Sequence, residues 1–268
     1  MPFFDFDDAA IYYEIIGDGP PLVLLHGYAL NGIMWEPQRP VFARTNTVIT
    51  IDLRGFGKSS CGKEWSGSIM AGDVRGLMES LDLSDVSILG FSMSGPVAFR
   101  VALEMPKTVA RLIMVSSILP SSGRPKARKE TELQRKELDI LRLRGPRAWA
   151  EAMGLWKGPL VDNIFKLNPE ARPVWERMIA RHNPDYLLRM MNARNASSPK
   201  TDWRSRLGEI AIPALIVAGA LDKSFLDGAN YLNRIIPHSG LTVIEGAGHM
   251  VNLESPAKFN KALGDFLR

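Results

Sequence analysis

The stretch from Val86 to Ala98, which reads VSILGFSMSGPVA, carries the pattern from which the fold can be predicted. β-Branched and aliphatic residues lead into small residues around Ser92, and a segment rich in Ala, Val and Phe follows. This order predicts a buried strand, a tight turn and a buried helix. Gly90 and Ser94 are small where the strand and helix backbones approach closely. The turn would expose the Ser92 hydroxyl beside the first amides of the helix, so Ser92 is the candidate nucleophile.

A small-residue string around a serine also occurs in ordinary turns, and such strings arise by chance in many chains. The fifth position here is Ser94, where the usual pattern has glycine. The catalytic interpretation of Ser92 therefore requires a base, an acid and an oxyanion donor elsewhere in the chain.

Composition limits the classes of protein to which the chain can belong. It has 268 residues, of which 46% are hydrophobic, enough for one large α/β domain or a domain with an insertion. The net charge of +4 is spread along the chain and does not by itself indicate nucleic-acid binding. The single cysteine, Cys61, excludes an intrachain disulfide and lies in a polar stretch typical of a loop.

The first residues, MPFFDFDD, are acidic where a signal peptide would carry lysines. No apolar run in the sequence is long enough to span a bilayer. We expect a cytoplasmic protein without stable membrane insertion, and the sequence leaves a homo-oligomer open.

Strand and helix patterns alternate along most of the chain, which predicts an α/β fold with a mostly parallel eight-stranded sheet flanked by helices. The alternation stops after Val109–Ile118, and about eighty residues follow before it resumes. Their patterns predict helices around residues 129–143, 146–156, 169–182 and 184–196. We therefore predict a core domain of residues 1–119 and 200–268 with a helical cap inserted at 120–199.

Polar residues follow four of the predicted strands, at the sheet edge where ligands collect in α/β proteins. Ser92 follows one strand, Asp222 and His249 follow the last two, and His26-Gly27-Tyr28 follows an earlier one. The chain order Ser, Asp, His is that of one type of catalytic triad. His249 would take the Ser92 proton while Asp222 holds its other ring nitrogen.

The remaining acids and histidines receive structural interpretations. Asp227 lies inside a predicted helix, and Asp52 precedes a glycine-rich loop that it is expected to pin. His182 and His238 are predicted to be solvated surface residues. His26 lies between an apolar strand and a glycine, so it is predicted to be a structural hydrogen-bonding residue at the oxyanion loop.

Backbone amides are the expected oxyanion donors, because a tetrahedral intermediate needs donors that are already in place. The N–H groups of Met93, in the turn after Ser92, and of Tyr28 occupy the two expected positions.

The sequence resembles the α/β-hydrolase superfamily over nearly its whole length. The motifs that carry the resemblance are Leu25–Tyr28, Asp52–Ser59, Gly90–Met93 and Gly248–Glu254. Within the superfamily, Met34–Gln38 and Gly90–Met93 look most like the aryl esterases and the cofactor-free haloperoxidases or perhydrolases, with enol-lactonases close behind. A serine at position 92 argues against the haloalkane dehalogenase and epoxide hydrolase branches, which use aspartate there.

The resemblance implies a triad of Ser92, Asp222 and His249 that hydrolyses a carboxylic ester through an acyl-enzyme, with no metal and no organic cofactor. Ser94 departs from the glycine usual in the family. Either a slightly wider turn accommodates its hydroxymethyl group, or its hydroxyl forms a local hydrogen bond to the backbone.

Candidate substrate contacts come from the core motifs and from the insertion. They are Trp35, Phe91, Trp156 and Met250, and the insertion adds Trp149, Phe165, Trp175, Met190 and Met191. Met and aromatic residues at helical spacing are more often ordinary core. The basic excess between Arg124 and Arg147 indicates a solvated helix face, or attraction of an acidic substrate or membrane surface.

These observations favour a serine carboxylesterase or lactonase that acts on a small, largely apolar ester. The same triad could instead hydrolyse a C–C bond in a diketone-like compound or transfer an acyl group to peroxide. If the protein is not an enzyme, the alternative is a ligand receptor with the same fold.

Overall fold

The computed structural model describes residues 3–117, 132–152, 159–196 and 204–268. Its eight strands are β1 (Phe3–Phe6), β2 (Ala9–Ile16), β3 (Pro21–Leu25), β4 (Thr47–Ile51), β5 (Val86–Phe91), β6 (Val109–Val115), β7 (Ala214–Gly219) and β8 (Ser239–Ile244). They form one sheet in the order β1-β2-β4-β3-β5-β6-β7-β8. β1 and β2 are antiparallel to each other, β2 is antiparallel to β4, and β3 to β8 are parallel.

The parallel strands at the centre of the sheet consist almost wholly of apolar residues because both of their faces are covered. Every residue of β5 and of β7 is buried. The pairing aligns Leu25 with Gly90 and Phe91 with Val115, so neighbouring strands end side by side. The predicted mostly parallel sheet is confirmed, and its carboxyl edge collects the residues that follow each strand.

Helices cover the sheet and join its strands. They are α1 (Arg39–Phe42), α2 (Gly67–Ser80), α3 (Gly95–Glu104), α4 (Glu132–Ala152), α5 (Pro159–Leu167), α6 (Ala171–Ala180), α7 (Pro184–Ala196), α8 (Lys223–Ile235), α9 (Val251–Glu254) and α10 (Pro256–Leu267). Three short 3₁₀ helices span Gly32–Trp35, Ser92–Ser94 and Arg204–Glu209. α3 packs against β5, β6 and α2, and α8 packs against β7 and β8.

The insertion between β6 and β7 contains α4 to α7. Two helices were expected where α4 lies, and the chain does break there, at Gly145 with φ 79° and ψ 178°. α5 was not predicted, because nine residues give little periodicity to detect. The predicted cap borders, Trp156 and residues 124–131 of the basic segment lie outside the described residues.

Candidate active site

Ser92 lies at the turn between β5 and α3 in the left-handed region, with φ 52°. Such a conformation is strained for a residue with a Cβ atom and is typical of functional turns. The approach of strand and helix accounts for Gly90, because a Cβ atom there would lie 2.3 Å from the Ser94 carbonyl oxygen. The backbone thus holds the Ser92 side chain at the carboxyl edge of the sheet.

The structure brings Ser92, His249 and Asp222 together from the ends of three strands. His249 Nδ1 lies 2.6 Å from Asp222 Oδ2, and His249 Nε2 lies 3.1 Å from Ser92 Oγ. A carboxylate beside Nδ1 favours the tautomer with the proton on that nitrogen. Nε2 is then free of a proton and can accept one from the serine hydroxyl.

The loop that carries His249 is fixed by a residue whose role the sequence analysis did not identify. Glu254 accepts hydrogen bonds from the amides of Gly248 and Met250, the neighbours of His249 on both sides, at 2.5 and 3.0 Å. Ser116 Oγ donates to the His249 carbonyl oxygen at 2.8 Å. The spacing of Glu254 from His249 was visible in the sequence, but the target of its carboxylate was not.

The three candidate acids occupy different environments. Asp222 contacts His249, whereas Asp227 is exposed on α8. Asp52 is buried in the loop after β4, where its two oxygens accept from the amides of Gly32 and Lys58 at 2.7 and 3.0 Å. Asp52 therefore pins this loop, as the sequence indicated.

The loop after β3 is organised by His26, which is fully buried. Its Nε2 accepts from the Leu53 amide at 2.8 Å, so Nδ1 carries the proton and donates to the Gly27 carbonyl oxygen at 2.7 Å. In a trans peptide the C=O and N–H point in opposite directions. Holding the Gly27 oxygen therefore orients the Tyr28 N–H away from His26. Burial lowers the pKa of His26 to about 4, which keeps the ring neutral.

Ser94 ties the turn at Ser92 to the end of β3. Its Oγ accepts from the Phe91 amide at 2.9 Å and lies 3.0 Å from the Leu25 carbonyl oxygen. It also lies 3.1 Å from the Phe91 oxygen, so its one proton serves either carbonyl. Of the two outcomes considered for this departure from glycine, the structure supports bonding of the hydroxyl to the backbone.

His182 was predicted to be a solvated surface residue, and this prediction is wrong. Only 4% of the residue is exposed, because the turn between α6 and α7 inserts its ring between two loops of the core. Its Nδ1 accepts from the Gly57 amide at 2.9 Å, and its Nε2 donates to the Ala29 carbonyl oxygen at 3.0 Å. Burial lowers the pKa of His182 to about 4. His238, by contrast, is exposed as expected.

The three described candidates for substrate contact from the core motifs, Trp35, Phe91 and Met250, are buried. The ring of Phe91 lies 5.2 Å from that of His249, and Trp35 packs behind it at 6.4 Å from Phe91 and 6.3 Å from Phe259. Trp35, Phe91 and Met250 are at most 1% exposed. A substrate could reach them only if their neighbours moved, so their contact with substrate stays a prediction.

A cavity of about 410 Å³ lies next to Phe225 and was not foreseen from the sequence; Ser92, Asp222 and His249 are not among its lining residues. Phe225 forms part of its wall and contacts the ring of His249 in a tilted arrangement, with ring centroids 4.3 Å apart. Tyr231, Arg204 and Ser117 line other parts of it. The cavity has a volume within the usual range of small-ligand sites, which is roughly 300 to 1,000 Å³.

The family model described as alpha/beta hydrolase fold matches residues 20–256. The chain belongs to the α/β-hydrolase family. The structure of a thermophilic esterase from Thermogutta terrifontis is 28% identical with a TM-score of 0.80, and the match covers 97% of this chain and 93% of the esterase. Est816, described as an N-acyl homoserine lactone degrading enzyme, is 28% identical with a TM-score of 0.75, over 99% of this chain and 100% of Est816.

A putative non-heme chloroperoxidase of Synechocystis is also similar, with 29% identity over 285 residues that cover 96% of this chain and 95% of that protein. The resemblance to esterases and cofactor-free haloperoxidases is thus confirmed. These relatives carry the names of different reactions, so membership of the α/β-hydrolase family does not by itself define the reaction of this chain.

Three further observations concern the described part of the chain. No helix in it is long and apolar enough to cross a membrane. Within the same residues, no group of three His, Cys, Asp or Glu side chains is placed to hold a metal ion. Burial raises the pKa of Cys61 to about 11, so its thiol stays protonated and is not a second nucleophile.

Proposed function

We propose that this α/β-hydrolase is a serine hydrolase that cleaves a small, largely apolar carboxylic ester or lactone. The observation that carries the proposal is the hydrogen-bonded chain from Ser92 through His249 to Asp222, with Ser92 in a left-handed turn. A serine hydroxyl is a weak nucleophile until an adjacent base can take its proton. His249 Nε2, 3.1 Å from Ser92 Oγ, is within reach to do so.

The reaction proceeds in two halves. Ser92 Oγ attacks the ester carbonyl carbon as its proton passes to His249 Nε2, and Asp222 stabilises the imidazolium that forms. The amides of Tyr28 and Met93 donate to the oxyanion, and collapse of the intermediate expels the alcohol, which takes the proton from His249. A water molecule then gives a proton to His249 and attacks the acyl carbonyl carbon, and His249 passes that proton to Ser92 Oγ as the acid is released. A lactone would yield one hydroxy acid by the same steps.

The cavity beside Phe225 supports a small substrate, since its volume of about 410 Å³ suits a compact acyl or aryl group. Arg204 and Asp227 add charged groups to a wall that is otherwise mainly apolar. The two relatives described as an esterase and as a lactone degrading enzyme favour the same substrate class.

We also propose that residues 120–199 act as a cap over the site. The support lies in three contacts between the insertion and segments that follow strands at the carboxyl edge. Asn163 Nδ2 donates to Glu254 Oε2 at 2.8 Å, Asn168 Nδ2 donates to the Leu253 oxygen at 2.7 Å, and Asn31 Nδ2 donates to the Met178 oxygen at 2.7 Å.

The test is labelling and turnover of wild type beside Ser92→Ala. We expect a fluorophosphonate to add one adduct, located at Ser92 by mass spectrometry, and short-chain nitrophenyl esters and lactones to be hydrolysed. Ser92→Ala should lose both reactions, whereas Ser80→Ala, which changes a serine at the end of α2, should keep them. A folded wild type that neither reacts with the probe nor hydrolyses any ester would refute the proposal.

Parallel assays separate the other reactions of the triad. A diketone substrate and an acyl donor with hydrogen peroxide are tested at the same enzyme concentration, the second because a similar protein is named a chloroperoxidase. A receptor would instead bind a ligand tightly with turnover near zero.

A further inference from the structure

We propose that His182, a residue of the helical insertion, is a positioning residue that holds the oxyanion loop His26–Asn31 in its active form. This inference rests on the proposed function, because it assigns His182 a part in the same reaction. His182 touches none of the reacting groups and acts through the backbone of the loop.

His182 and His26 form equivalent sets of hydrogen bonds. Each ring accepts a hydrogen bond from the loop after β4, His26 from the Leu53 amide and His182 from the Gly57 amide. Each ring donates from its other nitrogen to a carbonyl of the oxyanion loop, that of Gly27 or that of Ala29. We call this pair of rings the two-histidine clamp.

The ring of Phe56 contacts both histidine rings of the clamp. Phe56 meets His26 edge to face with centroids 5.4 Å apart and meets His182 at 6.2 Å. Both histidines are buried, so neither can exchange its partners for water without opening the loop. The two rings and Phe56 therefore form one packed unit behind the oxyanion loop.

The carbonyl that His182 holds belongs to the strained residue of the loop. Ala29 has φ 61°, in the left-handed region that is strained for residues with a Cβ atom. This conformation persists because the surroundings over-determine it, and the bond from His182 Nε2 is a direct contributor. Ala29 follows Tyr28, so a rotation at Ala29 would redirect the peptide groups around the predicted oxyanion donor.

The segment that carries His182 is itself anchored on the core. The Asn183 amide donates to the Gly57 oxygen at 3.0 Å, and Arg181 lies 2.9 Å from Glu14 and 3.4 Å from Asp52. His182 is thus presented from a rigid segment, as a positioning residue requires.

Two substitutions separate the two bonds of His182. Glutamine places an amide nitrogen the same number of bonds from Cβ as Nε2, so His182→Gln can keep the donor to Ala29 and lose the acceptor for Gly57. Asparagine reaches the position of Nδ1, so His182→Asn can keep the acceptor and lose the donor. If the bond to Ala29 positions the loop, we expect kcat on a nitrophenyl ester to fall at least tenfold in the Asn variant, with KM within about threefold of wild type. The Gln variant should retain a kcat at least tenfold above that of the Asn variant.

Asn183→Ala serves as the matched control. It removes a side chain that accepts from the Asp185 and Tyr186 amides at the start of α7, and it leaves the clamp in place. It should lower the melting temperature while retaining kcat. Equal kcat in the Gln and Asn variants, or a loss in Asn183→Ala as large as in His182→Asn, would overturn the inference. If His182→Asn does not fold, His182→Met, which fills similar space without an N–H donor, replaces it.

Amide hydrogen exchange supplies a readout that needs no substrate. Exchange in a peptide covering residues 26–34 should be faster in His182→Asn than in His182→Gln, and equal exchange would overturn the inference. A chain that failed to hydrolyse esters would refute the proposed function, yet this measurement would still decide whether His182 holds the loop.

Discussion

Acidification from pH 7 to pH 5 is expected to weaken the fold through the two buried histidines of the clamp. His26 and His182 each accept one hydrogen bond and donate another, so a second ring proton would face a backbone N–H. Burial lowers both pKa values from 6.5 to about 4. Between pH 6.5 and about pH 4 both histidines bind a proton in the unfolded chain but not in the folded chain. The contribution of the two neutral histidines to the free energy of unfolding is therefore complete above pH 6.5. It decreases as the pH falls towards 4.

The loss of unfolding free energy depends on how far the pH lies below the pKa of histidine in the unfolded chain. Each pKa unit corresponds to about 1.36 kcal/mol, and pH 5 lies about 1.5 units below the unfolded value. Each histidine therefore accounts for a loss of about 2 kcal/mol at pH 5, and the pair for about 4 kcal/mol. Among the titratable and charged groups that face His182, His26 and Arg181 lower its pKa and Asp52 raises it, and burial is the largest cause.

The assay is urea denaturation, followed by circular dichroism at several pH values between 7 and 5. Glutamine at position 182 does not titrate, so His182→Gln should lose about 2 kcal/mol of unfolding free energy over this range where wild type loses about 4 kcal/mol. Carboxylates that do not face position 182 contribute equally to both proteins and cancel in the comparison, whereas Asp52 interacts with His182 directly. The same pH dependence in wild type and His182→Gln would refute the reasoning.

Three substitutions probe the groups around the triad. Asp222→Asn is expected to lower kcat by about 10⁴, because an amide does not hold the His249 tautomer; unchanged turnover in an ester assay would contradict that role. Ser94→Ala should reduce the free energy of unfolding by about 1–3 kcal/mol, since the Phe91 amide loses its acceptor, and a urea titration identical to wild type would speak against it. Glu254→Gln removes the charge that holds the amides beside His249, and we expect kcat to fall roughly tenfold. A change confined to KM would exclude this explanation.

Local pattern in the sequence was sufficient to predict the sheet and the turn at Ser92. β5 and β7 are continuous apolar runs because both faces of a parallel strand are covered, and Gly90 marks a contact between adjacent elements. Strand ends predicted which side chains would meet, because parallel strands place their carboxyl ends on one edge of the sheet. Ser92, Asp222 and His249 follow from these local rules together with chain order.

The tertiary structure decided which distant backbone groups the polar side chains meet. His182 was predicted from the sequence to be a surface residue. Its hydrogen-bond partners, Gly57 and Ala29, lie 125 and 153 positions away in the chain. Glu254 likewise shows its role only when its carboxylate is seen between two amides. Hydrophobic periodicity records whether a face is buried, whereas a hydrogen bond depends on the direction of one donor and one acceptor. Those directions are fixed only when the loops pack together.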